Sequence, residues 1–141
     1  MMELKSTTIF RVRFNEVDSM NITWHGHYVT FFEDAREAFG KEYNLDYMTI
    51  FREGYYAPLV DIHVEYKSPL VYGDEARAEI KYKDCDAAKI IFEYEIYNQK
   101  NNKLVAKGST TQVFMDKDYR LVFYPPEFFI NWKIKNGLRE V

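Results

Sequence analysis

Asp18 and His25 are the two side chains of this sequence whose types and spacing best fit a catalytic site. They lie in a segment, 15–25, that shows no hydrophobic alternation and comes just before a helical pattern. A carboxylate in such a loop can act as a nucleophile or as a general base. The first N–H groups of the following helix carry partial positive charge and can hold an oxyanion that develops on an attacked carbonyl. The combination predicts chemistry at a carbonyl carbon.

The same residues also fit structural roles and other chemistries. An Asp before a helix is more often a turn former or a cap, and residue types alone favour that role for Asp18. Glu16 and Asp18 share a side if this segment is extended, so a two-carboxylate glycosidase pair stays open. His25 and His27 form a close histidine pair, but a zinc site needs three or four ligands. We therefore expect no metal site.

Hydrophobic periodicity predicts the elements that hold this loop. Alternation over 8–14 predicts a strand before it, with Phe14 on the same side as Phe10. From Gly26 to about Tyr43 the period changes to that of an amphipathic helix. Its apolar stripe consists of Tyr28, Phe31, Phe32, Ala35 and Phe39. The predicted loop therefore joins a half-buried strand to a Phe-rich helix.

Alternating patterns predict four more strands and a short final helix. The strands cover 60–67, 75–83, 90–97 and 104–115, and the helix covers 127–135. Short turns between consecutive strands predict antiparallel pairing. Gly108 marks a bulge or a close approach in the last of these strands. The pattern predicts an α+β fold, in which a curved antiparallel sheet of about five strands wraps around one long central helix.

Composition narrows the class of protein. The chain has 141 residues, is 47% hydrophobic and 18% aromatic, and carries a net charge of −3. We expect one domain, 1–141, and no nucleic-acid partner, since nucleic-acid binding usually needs a basic excess. The single cysteine, Cys85, excludes an internal disulfide. No apolar run is long enough for a membrane span, and the first ten residues show no secretory signal pattern, so we expect a cytoplasmic protein.

Two blocks of the sequence match a known pattern over nearly the whole chain. The first block holds Arg11, Val12, Asp18, His25, Tyr28, Phe32, Glu33, Ala35 and Arg36, and the second holds Tyr66, Pro69, Gly73 and Asp74. With these blocks the chain resembles the hotdog-fold acyl-CoA thioesterases of the 4-hydroxybenzoyl-CoA thioesterase type, which include the Tol–Pal-associated branch. It departs from them at Glu16, where the family has Asp, and at Asn21, where the family has Gly.

The resemblance implies a hotdog fold and an activity. It implies hydrolysis of an acyl-CoA or acyl-carrier-protein thioester to a free acid and a thiol. Asp18 is then the catalytic nucleophile or general base, and the backbone amide near His25 polarises the carbonyl. We expect the substrate to contact Met20, Asn21, Trp24 and Tyr28. Coenzyme A enters as part of the substrate, and no other cofactor is expected.

The resemblance also implies an assembly. Members of this family form homodimers with active sites at the subunit contact, and many pair again into homotetramers.

Two other functions stay open for this sequence. The chain could be a non-catalytic module that binds acyl groups or acyl-CoA, or it could carry another hotdog chemistry, such as that of a hydratase.

Overall fold

The structure, a computed structural model, describes residues 3–141, so Met1 and Met2 lie outside the described residues. Its helices are α1 (His27–Tyr43), α2 (Tyr47–Arg52) and α3 (Glu127–Lys135), and a single 3₁₀ turn covers Phe14–Glu16. Its strands are β1 (Lys5–Arg11), β2 (Tyr55–Tyr56), β3 (Leu59–Tyr66), β4 (Glu75–Lys83), β5 (Lys89–Asn98), β6 (Leu104–Asp116) and β7 (Leu121–Val122). No helix within residues 3–141 is both long and apolar enough to cross a membrane.

The main sheet has the strand order β1-β4-β5-β6-β3, and all of these pairs are antiparallel. The prediction that consecutive strands pair is wrong at one point, because β3 pairs with β6 and not with β4. The connection 67–74 is hydrogen-bonded to the chain before α1 instead. Thr23 N–H donates to Leu70 O at 2.8 Å, and Gly73 N–H donates to Val12 O at 3.1 Å. These bonds hold the connection 67–74 against the segment that contains the predicted catalytic loop.

Helix α1 packs its predicted apolar stripe against the sheet. All five stripe residues are buried, from Phe31 at 4% exposure to Ala35 and Phe39 at 0%. The polar residues between them face away, because they fall on the opposite side of a 3.6-residue repeat. Asn44 ends the helix in the left-handed conformation, with φ of 62°. The predicted helix is therefore confirmed, and it fixes the position of the loop that precedes it.

Gly108 lets the sheet approach α1 closely. The Phe32 ring stacks on Tyr94 with centroids 4.2 Å apart and an interplanar angle of 11°. A Cβ atom at Gly108 would collide with that Phe32 ring and with the carbonyl oxygen of His63. The register shifts in the pairing of β6 with its neighbours lie away from Gly108. Of the two predicted roles, Gly108 therefore has that of a close approach and not that of a bulge.

The remaining differences from prediction lie in short or terminal segments. Strand β1 covers Lys5–Arg11 rather than 8–14, because the chain leaves the sheet after Val12 and turns at Phe14. Phe14 is 78% exposed and does not belong to the core. Helix α2 was not predicted, since only Ile50 among its six residues is buried and no periodicity results. Helix α3 covers the predicted residues.

Candidate active site

The segment between β1 and α1 folds into a narrow turn that holds Asp18 at its tip. Val17 and Thr23 form an isolated antiparallel bridge. Within it, Asp18 N–H donates to Ile22 O at 2.9 Å, and Asn21 N–H donates to Asp18 O at 3.0 Å. Asn21 has φ of 60°, a conformation that Asn tolerates better than most residues, so Asn21 can stand where a Gly would be expected.

The Asp18 carboxylate has one oxygen committed to this turn and one free. Its Oδ1 accepts a hydrogen bond from Met20 N–H at 2.8 Å. Its Oδ2 makes no hydrogen bond to any part of the chain that the structure describes. The half-buried side chain lines a cleft of about 370 Å³ together with Ile22, Thr23, His25, Tyr28, Tyr66, Lys67, Ser68 and Pro69. One carboxylate oxygen is therefore available to a molecule in the cleft.

His25 brings the start of helix α1 to the same cleft. The helix begins at His27, and Gly26 is its N-cap. The N–H of His25 donates to no acceptor among residues 3–141, while its carbonyl accepts a 2.9 Å hydrogen bond from the Tyr66 hydroxyl. An unpaired N–H beside a helix N-terminus is the kind of donor that stabilises an oxyanion. Asp18, with one free carboxylate oxygen, and His25, with a free backbone N–H, therefore line the same cleft.

Tyr28 and Tyr66 form an aromatic wall beside these groups. Their rings meet edge to face with centroids 5.1 Å apart. Tyr28 is 3% exposed. Burial, together with the nearby Tyr66, raises the pKa of the Tyr28 hydroxyl to about 12. Tyr28, which lines the cleft, therefore keeps a neutral hydroxyl at ordinary pH.

Within one chain, three of the six predicted site residues line this cleft: Asp18, His25 and Tyr28. Met20, Asn21 and Trp24 do not line it, and Met20 is 69% exposed. Trp24 instead covers the helix start, with its ring 4.8 Å from the His25 ring and so close to Gly26 that a Cβ there would collide with it. Contact of these three residues with a substrate remains a prediction.

Tyr66 is a cleft residue that sequence reasoning did not assign to the site. It matches the family pattern in the sequence, but its hydroxyl bonds a residue 41 positions away, a contact that local spacing does not reveal. It lies at the last position of β3. The end of β3 thus fixes the backbone that carries the His25 N–H.

Glu16 is part of the turn's framework rather than of the cleft. It is 4% exposed, and its Oε1 accepts a 2.7 Å hydrogen bond from Arg13 N–H. Its other oxygen lies 3.3 Å from the Arg13 guanidinium. Because Glu16 points inward to these partners, it does not line the cleft beside Asp18, and this argues against the glycosidase pair. Among residues 3–141, no group of three His, Cys, Asp or Glu side chains could hold a metal ion.

Comparisons with known proteins agree on one family. Residues 12–132 match the Thioesterase-like superfamily. The chain is 32% identical over 124 residues to YneP of Bacillus subtilis (strain 168), a proposed acyl-CoA thioesterase, covering 86% of this chain and 87% of that one. It is 30% identical over 117 residues to a proposed esterase of Aquifex aeolicus (strain VF5), covering 83% and 89%.

A solved structure extends the likeness to the fold. The chain superposes on a DHNA-CoA thioesterase from Staphylococcus aureus with a TM-score of 0.82 and 25% identity, over 97% of each chain. This match confirms the predicted fold, a curved antiparallel sheet around one long helix.

Proposed function

The chain belongs to the thioesterase-like superfamily and is a thioester hydrolase, and we propose that it cleaves acyl-CoA thioesters with Asp18 as its catalytic carboxylate. The observation that supports this assignment is a cleft lined by both Asp18, which has one unpaired carboxylate oxygen, and His25, whose backbone N–H is unpaired among residues 3–141. Hydrolysis of a thioester needs both an attacking or proton-accepting group and a donor for the carbonyl oxygen. The two groups supply these functions.

The proposed reaction starts with the thioester carbonyl oxygen accepting a hydrogen bond from His25 N–H. Asp18 then attacks the carbonyl carbon and expels the thiolate, and water hydrolyses the resulting anhydride. In the other route, Asp18 removes a proton from a water molecule that attacks the same carbon. Both routes consume one water molecule and release one acid and one thiol.

Tyr66→Phe tests the anchor of the His25 backbone. The substitution removes the hydroxyl that bonds His25 O and keeps the ring that packs on Tyr28. Loss of one such hydrogen bond is worth about 1 kcal/mol, so we expect kcat to fall about fivefold. Tyr72→Phe is the matched control, because Tyr72 is 56% exposed and does not line the cleft. Equal kcat values for the two variants would contradict a positioning role for Tyr66.

A homodimer is the second part of the proposal. In the described chain, β3 pairs with β6 along one edge only, which leaves its other edge free. Ile62 lies on the helix side of this strand, opposite the buried Thr110, yet it is 41% exposed, and Val60 is 60% exposed. An apolar free edge is a surface that pairs readily with another strand. A second copy pairing through β3 would extend the sheet and cover these side chains.

Ile62→Glu tests that contact. A charge in the paired edge should shift the protein to monomers at micromolar concentration and lower its activity, because a buried unpaired carboxylate is costly. Light scattering measures the mass of each variant, and the wild-type value also decides whether dimers pair again into a homotetramer. The control is Ile9→Glu, since Ile9 is 53% exposed on β1, the opposite edge strand. A monomeric wild type would contradict the proposal.

A thiol-release screen tests the activity itself. The panel contains CoA thioesters with acyl groups of varied length and aromaticity, and the same acyl groups on a carrier protein. We expect turnover of CoA thioesters, and comparison of the two carriers decides whether a carrier protein is also accepted. Acyl-CoA that stays intact in the bound state would favour a binding module, and a hydrated product without free thiol would favour a hydratase. A tagged chain would also test the proposed cytoplasmic location.

A further inference from the structure

Glu16 is a buried carboxylate that no step of the proposed reaction uses. An ionised carboxylate is costly to bury unless its oxygens have partners. In Glu16, which is 4% exposed, both oxygens have one, since Oε1 accepts a 2.7 Å hydrogen bond from Arg13 N–H and Oε2 lies 3.3 Å from the Arg13 guanidinium. The Arg13 side chain is 71% exposed, so the buried and fixed end of this pair is Glu16.

The Glu16 side chain closes the short turn with which the catalytic segment begins. This 3₁₀ turn, Phe14–Glu16, has three residues, and a single turn gains too few hydrogen bonds to be stable alone. Within it, Glu16 N–H donates to Arg13 O at 3.0 Å. The carboxylate adds a second bond to the same residue, through Arg13 N–H. The side chain thereby fixes the direction in which the chain leaves β1.

The backbone of Glu16 connects the two legs of the segment. Its carbonyl oxygen accepts a 2.9 Å hydrogen bond from Trp24 N–H. Along the chain, Asp18 follows Glu16 by two residues, and His25 follows Trp24 directly. Glu16 therefore lies at the base of the turn, where the leg that leads to Asp18 is bonded to the leg that leads to His25.

Side-chain oxygens accept backbone N–H groups at two places in this segment. At the tip, Asp18 Oδ1 accepts Met20 N–H, and at the base, Glu16 Oε1 accepts Arg13 N–H. The Asp18 side chain lines the cleft, whereas Glu16 does not. A substitution of Glu16 therefore loosens the base of the turn without removing any group from the cleft.

We propose that Glu16 is a positioning residue of the hydrolysis, and that it fixes the Asp18 carboxylate relative to the His25 N–H through the base of this turn. The inference rests on the proposed function and adds a residue to it. Reaction rates depend steeply on the placement of the reacting groups, and a shift of about 1 Å can lower a rate about 100-fold. Because the rest of the substrate binds independently of this placement, the effect falls on kcat rather than on KM.

A matched pair of substitutions, Glu16→Met and Glu16→Gln, tests this function. Both new side chains have nearly the length and volume of Glu, but only Gln offers an oxygen to Arg13 N–H. We expect Glu16→Met to lower kcat about 10- to 100-fold with KM within about twofold of the wild type. Glu16→Gln should stay within about threefold of the wild-type kcat, because it loses only the ion pair with an exposed guanidinium. Glu95→Met, at an exposed position of β5, is the control.

A double-mutant cycle separates positioning from a general loss of order. In the Asp18→Asn background, the group that Glu16 positions is no longer a carboxylate, while His25 keeps its anchor through the Tyr66 hydroxyl. Glu16→Met should therefore lower the residual kcat by less than about threefold in that background. A purely structural effect would lower kcat by the same factor in both backgrounds. Steady-state thiol release on one competent substrate measures all four chains.

The outcomes of these experiments are distinct. Equal kcat values for Glu16→Met and the wild type, or equal factors in the two backgrounds, would overturn the inference. A Glu16→Gln variant as slow as Glu16→Met would also overturn it, because the charge and not the bond to Arg13 N–H would then be required. A wild type without thiol release on any substrate would instead refute the proposed function. Glu16→Ala replaces Glu16→Met if circular dichroism shows that the Met variant is unfolded.

Discussion

Asp18→Asn is expected to lower kcat at least ~100-fold, the lower range for removing a positioned acid–base group. An Asn side chain has nearly the same shape, and its Oδ1 can still accept the hydrogen bond from Met20 N–H that holds the turn. The substitution therefore removes the negative charge at Oδ2 and leaves the cleft in place. Because the lost interaction acts on the reacting carbon, KM should change little. Steady-state thiol release on a competent substrate measures both constants.

The control for this prediction is Asp118→Asn. Asp118 lies in an exposed turn after β6, and the same chemical change there should leave kcat unaltered. Normal turnover by Asp18→Asn on a substrate that the wild type hydrolyses would contradict the catalytic assignment. A large rise in KM with unchanged kcat would mean that Asp18 binds the substrate and does not take part in the reaction.

Phe32→Ala is expected to lower the free energy of unfolding by about 3–5 kcal/mol, the usual cost of emptying a large aromatic site. Phe32 is 1% exposed, and its ring fills the space between Tyr94 and the backbone at Gly108. The backbone on both sides belongs to regular elements, so the site cannot collapse easily around the smaller residue. Urea unfolding monitored by circular dichroism measures the loss through the transition midpoint.

Phe14→Ala is the matched comparison for that measurement. Phe14 is 78% exposed, and its loss should change the free energy of unfolding by no more than about 0.5 kcal/mol. The pair thus separates the effect of burial from the effect of removing a ring. Similar midpoints for the two variants would contradict the packing of α1 on the sheet.

The predictable parts of the fold are the elements whose hydrophobic periodicity extends over many consecutive residues. The stripe of α1 repeats over three turns of helix, so its period could be read without knowing the partner surface. The strands β4 and β5 alternate with nearly the same bounds as predicted. Helix α2 has six residues and one buried side chain, which is too little for a period to emerge. The pairing of β3 with β6 depends on where connection 67–74 crosses, and turn length alone does not encode that path.

The candidate site was predictable to a similar degree. Asp18 and His25 lie in one short segment, so their joint presence in a cleft follows from the fold of that segment. Tyr66 reaches the cleft through a contact with a residue 41 positions away, and its match to the family pattern did not indicate that contact. The inward turn of Glu16 could not be read either, because its short 3₁₀ segment has no periodic signal.

The high pKa of Tyr28 bears on how the reaction rate can depend on pH. Burial, together with Tyr66, raises the pKa of this phenol to about 12. The hydroxyl therefore keeps its proton in buffers below about pH 11. A decline in rate that begins near neutrality must then originate in another ionisable group. The Tyr28 hydroxyl remains uncharged across that range, so Tyr28 adds no second anion to the lining of the cleft that holds Asp18.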